Sequence, residues 1–505
     1  MLKDELQKLF SVEILDDPET LEKYSKDASI FTISPKVVIF PKDSEDIKQI
    51  VKYVSANKLS ITVRSGGTDM SGGAIGEDII LDVSEYLNKL IDIDENSTIV
   101  QPGMFYKDFE IETLKQGLLL PTYPASREIC TVGGMVANNA GGELELTYGP
   151  INKYLKSMKV ILSDGNEYTL SSLNKEQLNN KITQDNFEGK IYSEIYNLLE
   201  ENKELVEKAR PKTSKNSTGY DLWEVYDGES FDLSKLIIGS QGTLGIITEA
   251  EFKPEAFECF DDQTLNLALE HAWDISANFK HNNRLFAYLD MISGKKNALP
   301  KLMLLANFTS DDKNEALKQA QSAKEALKGL NLTAEIKETD KNQEKYWLIR
   351  HKSFGLLMKY SKGKKASSFI DDIIVKPEFL PEFLPKLNAL IEPYKDRMVY
   401  TLAGHIGDGN FHIIPLMDLS KEEVRAVIPE LMEKVFKLVF EYKGSMSAEH
   451  NDGLIRGPYL PEMYGDDVYQ LFKKVKEIFD PKGIFNPHKK VDATFEYSLK
   501  HMSKG

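Results

Sequence analysis

The sequence predicts an α+β protein made of two domains. At 505 residues, the chain is longer than one ordinary hydrophobic core can organise. Its first half alternates buried strands with amphipathic helices and carries three glycine-rich turns. After Phe252-Lys253-Pro254 the pattern changes to long helical segments and alternating strands. We therefore expect a ligand-binding domain at residues 1–255, to which the C-terminal segment 484–505 returns, and a second domain at 256–483.

Hydrophobic spacing predicts the individual elements. An opening helix precedes a buried strand at Val37-Val38-Ile39-Phe40, and Ser44 is expected to cap the next helix. Apolar residues recur through that helix at helical spacing: Ile47, Ile50, Val51 and Val54. A second strand covers Ile61 to Arg64. Later helices are predicted at Lys313 to Lys328, Leu384 to Tyr394 and Lys421 to Tyr442.

Charge and cysteine content exclude several classes of protein. The formal net charge is −16 and no long run of Lys and Arg offsets it, so nucleic-acid binding is not expected. Two cysteines, Cys130 and Cys259, are too few for a four-cysteine iron–sulfur site and suit a reducing compartment. No window approaches about 18 apolar residues, so no transmembrane segment is expected. The expected location is cytoplasmic, with peripheral attachment to a membrane left open.

Three glycine-rich turns are the main binding signal in the first domain. They are Ser65 to Gly73, Thr131 to Gly142, and Gly239 to Gly245 ahead of the strand Ile246-Ile247-Thr248. Small residues let successive backbone N–H groups approach an anion such as a pyrophosphate. Each turn alone is also explained as a plain tight turn, but three together favour one extended ligand. No G-x-G-x-x-G follows a strand and no P-loop string occurs, so an NAD-type Rossmann domain is disfavoured.

The histidines point to chemistry in the second half of the chain, because none of the eight precedes His271. His405 and His412 lie in the string GHIGDGNFH, whose Gly/Asp turn can fold back and bring both imidazoles to one divalent cation. Glu449 is a candidate third ligand, since two histidines and one carboxylate leave coordination positions open for a substrate. A structural role is the simpler explanation for the isolated histidines: His271, His281, His351 and His501.

Further strings extend this pattern along the chain. They are Arg64-Ser65-Gly66-Gly67-Thr68, Asn138-Asn139-Ala140-Gly141-Gly142, Tyr148-Gly149, Ser217-Thr218-Gly219-Tyr220, Ser447 to His450, and Phe479-Asp480-Pro481 leading to Asn486-Pro487. With the glycine-rich turns and the histidine string, they resemble the FAD-linked oxidases of the vanillyl-alcohol oxidase superfamily. Within it they resemble the D-lactate, glycolate and D-2-hydroxyglutarate dehydrogenase branch, over about residues 35 to 490.

The resemblance implies a two-domain vanillyl-alcohol-oxidase-like flavoprotein, with a PCMH-type FAD-binding domain and a substrate (cap) domain of mixed sheet and helix. FAD would lie across the first domain, with its pyrophosphate at the 65–69 loop. The residues implied to contact FAD are Arg64, Ser65, Gly66, Gly67, Thr68, Asp69, Ser71, Gly133, Gly134, Asn138, Gly141, Gly142, Tyr148, Gly149, Gly242, Ile247 and Asn486. Residues 1–255 contain no histidine to form a histidyl flavin bond, and Cys130 is expected to be an inert thiol, so FAD is expected to be non-covalent.

The resemblance also implies roles in the second half. His405, His412 and Glu449 match the ligands of one divalent metal (Zn, Mn or Fe), His450 matches a catalytic base, and Arg350 matches a partner of the substrate carboxylate. A bound metal lowers the pKa of a coordinated oxygen by as much as about 9 units, so His450 is expected to remove the hydroxyl proton at neutral pH. The hydride then passes from C2 to FAD, and a small D-2-hydroxy acid becomes a 2-oxo acid.

Some residues depart from the family pattern and bear on the substrate. Ile414 stands where an Asn often closes the histidine string, Asn451 replaces a usual Gly, and His488 interrupts an Asn-Pro-Gly-Lys ending. The stretch Ala366 to Ile374 has no Lys or Arg where 2-hydroxyglutarate members place a basic group. We therefore expect D-lactate or a similar monocarboxylate in preference to D-2-hydroxyglutarate or glycolate.

Two alternatives stay open on the sequence alone. One is an FAD oxidase of the same fold that acts on another alcohol or on an alkyl-glycerone phosphate. The other is a flavin electron-transfer subunit of a larger complex. The electron acceptor is also left open among a quinone, an electron-transfer flavoprotein, a cytochrome and oxygen, as is a homodimer.

Overall fold

The chain forms two compact units. The computed structural model describes residues 2–94, 96–253, 255–256, 304–308, 310, 312–330, 332–338 and 364–504. One unit comprises residues 1–256 together with 361–505, and the other comprises 257–360. Residues 364–504 therefore belong to the same compact unit as the first half. The expected division of the chain near residue 255 into a ligand-binding domain and a second domain stays a prediction. In the smaller unit, the described helix Lys313–Ala326 has no buried residue.

The strands among the described residues are short, and they are numbered here in chain order. They are β1 Glu13–Leu15, β2 Val37–Phe40, β3 Ile61–Arg64, β4 Ile79–Asp82, β5 Leu90–Ile93, β6 Thr98–Val100, β7 Leu118–Leu119, β8 Leu155–Ile161, β9 Glu167–Ser171, β10 Ile246–Phe252, β11 Glu255–Ala256, β12 Lys365–Ala366, β13 Ile373–Ile374, β14 Met398–His405 and β15 Asn410–Met417.

Helices connect and cover these strands. The α-helices of the larger unit are Leu2–Leu9, Pro18–Tyr24, Ser44–Asn57, Tyr106–Leu114, Val132–Asn138, Glu145–Tyr148, Lys175–Ile182, Phe187–Glu201, Lys203–Ala209, Ser234–Ile237, Leu380–Ile391, Glu422–Arg425, Val427–Glu441, Gly453–Arg456, Leu460–Tyr464, Asp466–Phe479 and Phe495–His501. Short 3₁₀ turns are Ile151–Lys153, Leu222–Glu224, Pro377–Phe379, Glu392–Tyr394, Gly457–Tyr459 and Lys490–Asp492.

The first sheet positions the first glycine-rich turn. Its strand order is β1-β2-β4-β3, with β2, β4 and β3 parallel and β1 antiparallel at one edge. The helix Ser44–Asn57 buries its apolar stripe against this sheet, as the spacing predicts. The C-terminal segment returns to β3, where Ile61 N–H donates to Ile484 O and Asn486 N–H donates to Ile61 O, both at 2.8 Å.

The second sheet is antiparallel, in the order β5-β6-β10-β8-β9. The buried positions Met158 and Val160 of β8 share one core with helices Phe187–Glu201 and Asp466–Phe479. The predicted strand at Ile246-Ile247-Thr248 is the start of β10, which runs on to Phe252. Since β10 follows the third glycine-rich turn directly, the sheet fixes where that turn ends.

The third sheet is built around the hairpin of β14 and β15, with β12 and β13 along the other edge of β15. Helices Leu380–Ile391 and Val427–Glu441 share its hydrophobic core, to which they contribute Phe383, Leu387, Leu431 and Val435. This sheet carries the histidine string at its hairpin turn.

Sequence reasoning placed most boundaries within a few residues and missed one cap. Asp43, not Ser44, is the N-cap of the third helix, because its side chain accepts a hydrogen bond from Asp46 N–H at 3.0 Å while Ser44 is already helical. The predicted helix Lys421 to Tyr442 is divided at Ala426. No helix in the described part of the chain is long and apolar enough to cross a membrane.

Candidate active site and metal centre

The hairpin of β14 and β15 brings the two histidines of the GHIGDGNFH string together. His405 pairs with Asn410 across the hairpin, and Ala403 pairs with His412, so the two histidines are diagonal neighbours on one face. Their ring centroids lie 5.4 Å apart with the rings perpendicular. Gly409 allows the tight turn, since its φ is +77° and a Cβ there would lie 1.8 Å from the Val375 carbonyl oxygen.

A buried aspartate folds the next segment so that Glu449 and His450 meet this hairpin. Asp372 Oδ2 accepts hydrogen bonds from Ser447 Oγ at 2.6 Å, Glu449 N–H at 2.8 Å and His450 N–H at 2.7 Å. Asn410 Nδ2 donates to its other oxygen at 3.1 Å. Asp372 itself has a φ of +67°, and both of its oxygens are engaged by the protein. Asp372 therefore holds the 447–450 segment against the hairpin through these hydrogen bonds.

The three predicted metal-ligand positions converge. His405 Nε2 lies 3.3 Å from Glu449 Oε1, and His412 Nε2 lies 3.9 Å from Glu449 Oε2. Ligands about 2.1 Å from one ion are separated by roughly 3 to 3.5 Å, so these atoms need only small movements to share it. His450 stacks on His412 with centroids 5.0 Å apart. One group whose ligand atoms all lie within 4.8 Å of one another comprises Asp372, His412, Glu449 and His450.

A second buried aspartate, Asp371, orients two of the histidines. Its Oδ2 lies 2.9 Å from His450 Nδ1, and its Oδ1 lies 3.3 Å from His412 Nδ1. The His412 contact is a hydrogen bond, and the His450 contact is an ion-pair contact; in both rings Nδ1 faces Asp371 and Nε2 is directed away from it. Burial opposes ionisation of Asp371, but the charges of His450 and His412 outweigh it and hold the Asp371 pKa below its usual range. Burial also opposes charging His450, yet Asp372 and Asp371 raise its pKa to about 9.

Glu449 also contacts a buried lysine. Lys215 Nζ lies 2.7 Å from Glu449 Oε1, 3.1 Å from Glu145 Oε2 and 3.3 Å from Asp408 Oδ2. Burial raises the Glu145 pKa to about 8, and the nearby Glu449 charge adds to the shift. Burial works against the ionised form of Glu449 as well, but His405 and Lys215 hold its pKa below the usual range.

The residue-by-residue analysis of the sequence missed this supporting set. Asp371 and Asp372 lie in the stretch Ala366 to Ile374, from which only the absence of a basic residue was interpreted. Asp408 lies within the histidine string, and Lys215 lies just ahead of Ser217-Thr218-Gly219-Tyr220. An acidic pair next to an apolar run was the one available signal. Arg350, the predicted partner of the substrate carboxylate, lies outside the described residues.

The first glycine-rich turn follows β3. Arg64 ends the strand, and its guanidinium donates to Lys26 O at 2.7 Å. Asp69 Oδ1 accepts from Ser71 N–H at 2.7 Å and from Gly73 N–H at 2.8 Å, which closes the turn. Among the described residues, no acceptor is paired with the backbone N–H groups of Gly66, Gly67 and Thr68. These donors suit an anionic group of a cofactor.

The second turn packs against the first. Thr131 Oγ1 donates to Ser65 Oγ at 2.6 Å and caps the helix Val132–Asn138. Gly133 lies in that helix, where a Cβ would lie 2.3 Å from the Pro102 side chain, and Gly134 N–H donates to Thr131 Oγ1. At the far end, Asn138 Nδ2 donates to Glu449 O at 2.8 Å. The second turn therefore touches both the first turn and the metal-ligand segment.

Close packing explains the remaining glycines of the second turn. A Cβ on Gly141 would overlap the Glu145 carboxyl group, and one on Gly142 would lie 2.0 Å from Tyr123 O. Asn138 Oδ1 and Asn139 Oδ1 are buried without a hydrogen-bond partner in the described part of the chain. Such orphaned acceptors next to glycine turns fit a cofactor that donates hydrogen bonds.

The third turn joins the other two. Gln241 Nε2 donates to Asp69 Oδ2 at 2.9 Å, and Gln241 N–H donates to Ala137 O at 2.8 Å. Asn486 Nδ2 donates to both Gly73 O and Gln241 O at 2.8 Å. Asn451 Nδ2 donates to Gly239 O at 2.8 Å, which ties this cluster of turns to the metal-ligand segment.

The other predicted cofactor residues lie at the edges of the cluster. Gly242 has a φ of +68° and the nearest atom to an added Cβ is 4.0 Å away. Ile247 is buried at the start of β10. Tyr148 ends the helix Glu145–Tyr148, and Gly149 follows it with a φ of +80°. Cys130 is buried, and burial raises its pKa to about 12, so its thiol is protonated at neutral pH.

Comparison with known proteins agrees with this arrangement. Residues 35–171 match the model of an FAD binding domain, and residues 243–490 match that of the C-terminal domain of FAD linked oxidases. The chain belongs to the FAD-linked oxidase family. The two matches together include the first two glycine-rich turns, the end of the third from Thr243 onward, the histidine string, Glu449 and His450.

Relatives in this family are about a quarter identical to the chain over the aligned residues. A D-2-hydroxyglutarate dehydrogenase of Escherichia coli is 26% identical over 92% of the chain and 49% of its own length, so the chain spans about half of that relative. A D-lactate dehydrogenase of Archaeoglobus fulgidus is 27% identical over 90% of the chain and 91% of its own length.

Solved structures confirm the vanillyl-alcohol-oxidase-like fold. An alkyldihydroxyacetonephosphate synthase matches with a TM-score of 0.59 and 16% identity, covering 96% of this chain and 85% of that one. A 4-ethylphenol oxidase from Gulosibacter chungangensis matches with a TM-score of 0.59 and 14% identity, covering 96% and 95%. At these identities the likeness concerns the fold alone.

The packing of Gly142 yields a test of the glycine-rich turns. We expect Gly142→Ala to lower stability by roughly 1–3 kcal/mol and to reduce the FAD-to-protein ratio, because its Cβ collides with a backbone carbonyl. Gly228→Ala is the control: its φ is +94° but no atom lies within 4 Å, so only local strain of about 1 kcal/mol is added. Thermal melts and flavin absorbance measure both effects. A Gly142→Ala protein with wild-type melting and flavin content would contradict this packing argument.

Proposed function

We propose that the protein is an FAD-dependent dehydrogenase that oxidises a D-2-hydroxy acid to the 2-oxo acid with the help of one divalent metal ion. One observation carries the proposal: His405, His412 and Glu449 converge beside His450, and Asn138 and Asn451 join them to the cluster of glycine-rich turns. A metal-ligand set and a flavin-type binding region thus share one compact unit.

The described residues fit FAD without any covalent bond. When bound, FAD supplies the acceptor for the hydride that leaves C2 of the substrate. Gly66, Gly67 and Thr68 offer backbone N–H donors for its pyrophosphate, and Asn138 and Asn139 offer buried carbonyl oxygens. No histidine occurs before His271, and the thiol of Cys130 is held protonated by burial, so neither residue type provides a flavin tether in the FAD-binding region.

The donor set also fits a divalent ion. When bound, the ion lowers the pKa of the substrate hydroxyl group and helps to orient the substrate. His405 and His412 would bind it through Nε2, and Glu449 through its carboxylate. This mixture of imidazole and carboxylate suits Zn²⁺, Mn²⁺ or Fe²⁺. Asp371 and Asp372 add negative charge behind the ligands, which favours a cation at this place.

His450 is the proposed base. Its Nδ1 faces Asp371 Oδ2 at 2.9 Å, so Nε2 is the nitrogen that would take the hydroxyl proton of the substrate. A divalent ion bound beside the ring would lower the His450 pKa from about 9 and so supply the neutral form that a base requires. Asp371 then stabilises the imidazolium that forms. In this scheme the hydroxyl proton would go to His450 and the hydride to bound FAD, and C2 would become the carbonyl carbon of the 2-oxo acid. Arg350 stays the proposed partner of the substrate carboxylate.

The stretch before β13 supports a monocarboxylic substrate. Phe369 and Ile370 are fully buried there, and the next two residues are the aspartates Asp371 and Asp372. Residues 366–374 contain no Lys or Arg that could pair with a second carboxylate of the substrate. We therefore place D-lactate or a similar acid ahead of D-2-hydroxyglutarate, although relatives of both names exist.

Anaerobic flavin reduction tests the proposal directly. We expect D-2-hydroxy acids to bleach the FAD absorbance, L-acids to leave it unchanged, and D-lactate to be faster than D-2-hydroxyglutarate. Prior removal of the metal with a chelator should abolish the bleaching, and addition of Zn²⁺ or Mn²⁺ should restore it. Bleaching by L-acids alone, or a rate indifferent to the chelator, would refute the metal-assisted mechanism.

A further inference from the structure

A buried lysine sits at the centre of the acidic side of the metal-ligand set. The side chain of Lys215 is 2% exposed, and those of Glu145, Asp408 and Glu449 are 3%, 3% and 8% exposed. Its Nζ has all three carboxylates within 3.3 Å, with Glu449 Oε1 the nearest at 2.7 Å. The contact with Glu449 is a hydrogen bond, whereas Glu145 Oε2 and Asp408 Oδ2 lie at ion-pair distance and have no hydrogen-bond partner among the described residues.

We propose that Lys215 is a positioning residue that holds the Glu449 carboxylate between His405 and His412, where it can serve as a ligand of the divalent ion. This inference rests on the proposed metal function of Glu449. It is carried by the contacts of that carboxylate: Oε1 accepts a hydrogen bond from Lys215 Nζ at 2.7 Å and lies 3.3 Å from His405 Nε2, and Oε2 lies 3.9 Å from His412 Nε2.

The charges around Glu449 show why a cation is needed there. Asp408 and Glu145 reach the same point as Glu449, and without an ammonium between them the carboxyl groups would repel Glu449 whenever they are ionised. Lys215 offsets this repulsion with a positive charge at the centre of the group. His412 and His450 are directed to Asp371 through Nδ1, and His405, 3.3 Å from Glu449 Oε1, would itself face the divalent ion.

The segments that meet at Lys215 come from distant parts of the chain. Glu145 begins the helix after the second glycine-rich turn, and Asp408 lies in the hairpin turn between the two histidines. The absence of a side chain at Gly141 leaves the space that the Glu145 carboxyl group occupies. Thr213 Oγ1 donates to Lys215 O at 2.8 Å and fixes the local backbone. Lys215 therefore connects a predicted flavin-contacting segment with the metal hairpin.

The test is Mn²⁺ binding to metal-stripped protein that retains FAD, with free Mn²⁺ followed by electron paramagnetic resonance. We expect Lys215→Met to raise the Mn²⁺ dissociation constant by about 10- to 100-fold, as is typical when a partner behind a ligand is lost. The double variant Lys215→Met with Glu145→Gln should recover part of the affinity, because it removes one of the carboxylates left unpaired. A dissociation constant within twofold of wild type in Lys215→Met would overturn the inference.

A matched control separates positioning from stability. Lys476 is also buried, and it pairs with Asp480 at 2.7 Å without contacting the metal-ligand set. Lys476→Met should lower the melting temperature and leave the Mn²⁺ dissociation constant unchanged. If Lys215→Met does not fold, the double variant Lys215→Met with Glu145→Gln is measured in its place and compared with Glu145→Gln alone. Wild-type Mn²⁺ dissociation constants for both variants would again overturn the inference.

Binding of Mn²⁺ requires no turnover, so the two proposals fail separately. A wild-type protein that binds Mn²⁺ but shows no bleaching with any D-2-hydroxy acid would defeat the proposed reaction and leave the role of Lys215 intact. A protein that is bleached by D-acids while Lys215→Met keeps full Mn²⁺ affinity would defeat only the role of Lys215.

Discussion

Glu449→Gln is expected to abolish divalent-ion binding and to slow anaerobic FAD reduction by about 1,000-fold or more. Glutamine keeps the shape of the side chain but removes the negative charge that faces His405, His412 and Lys215. A catalytic metal contributes several kcal/mol of transition-state stabilisation, and each 1.36 kcal/mol is about a factor of ten in rate. Metal content by elemental analysis and stopped-flow flavin absorbance give the two readouts.

The control for this variant is another buried carboxylate. Asp480 pairs with Lys476 and accepts hydrogen bonds from Ile484 and Phe485 N–H at 3.0 and 2.8 Å, away from the histidines. Asp480→Asn should therefore lower stability without changing metal content per folded protein. If Glu449→Gln retained both metal and fast flavin reduction, the ion would have to be held elsewhere, and the proposed centre would be wrong.

Much of the candidate site was readable from local sequence. The glycine-rich turns are evident from their composition. The histidine string places two imidazoles seven residues apart around a Gly/Asp turn. The hairpin register explains why this spacing works: it makes His405 and His412 diagonal neighbours on one face. The convergence of Glu449 and His450 on them rested on the family resemblance as much as on spacing.

The rest of the site depends on tertiary pairing that no local pattern reveals. Asp371 and Asp372 differ in role although they are adjacent, because one faces two imidazoles and the other closes the 447–450 turn. The sequence around Lys215 does not indicate its partners, because Glu145, Asp408 and Glu449 lie far from it along the chain. Long-range ion pairs of this kind are fixed only when the sheets and helices have packed.

Two departures from the family pattern have a backbone explanation. Asn451 and His488 replace residues that are usually glycine, and each has a φ of +65°. That region is open to glycine, and asparagine and histidine are enriched there among the other residues. Asn451 also uses its side chain to bond Gly239 O, and the His488 ring stacks on Tyr497 at a centroid distance of 4.0 Å. Both residues therefore occupy a backbone region that glycine adopts freely.

His450→Gln is expected to slow flavin reduction by about 100- to 10,000-fold while FAD and the metal ion stay bound. Glutamine can hydrogen-bond within the pocket but cannot accept a proton at neutral pH, so the loss appears in kcat more than in KM. The control is His501→Gln, since His501 lies on the C-terminal helix Phe495–His501 with its Nδ1 at Tyr497 O. That variant should reduce flavin at the wild-type rate.

Asp371→Asn removes the carboxylate that faces both His450 Nδ1 and His412 Nδ1 while leaving the imidazoles in place, so it is assayed for metal content together with flavin reduction. If His450 accepts the hydroxyl proton, this variant should also slow flavin reduction, by about 10- to 100-fold, and should do so most strongly with substrate bound. Were His450 instead a third nitrogen ligand of the ion, His450→Gln would lose metal together with activity. Metal retained with activity lost is therefore the result that assigns the base, and metal lost in step with activity assigns a ligand.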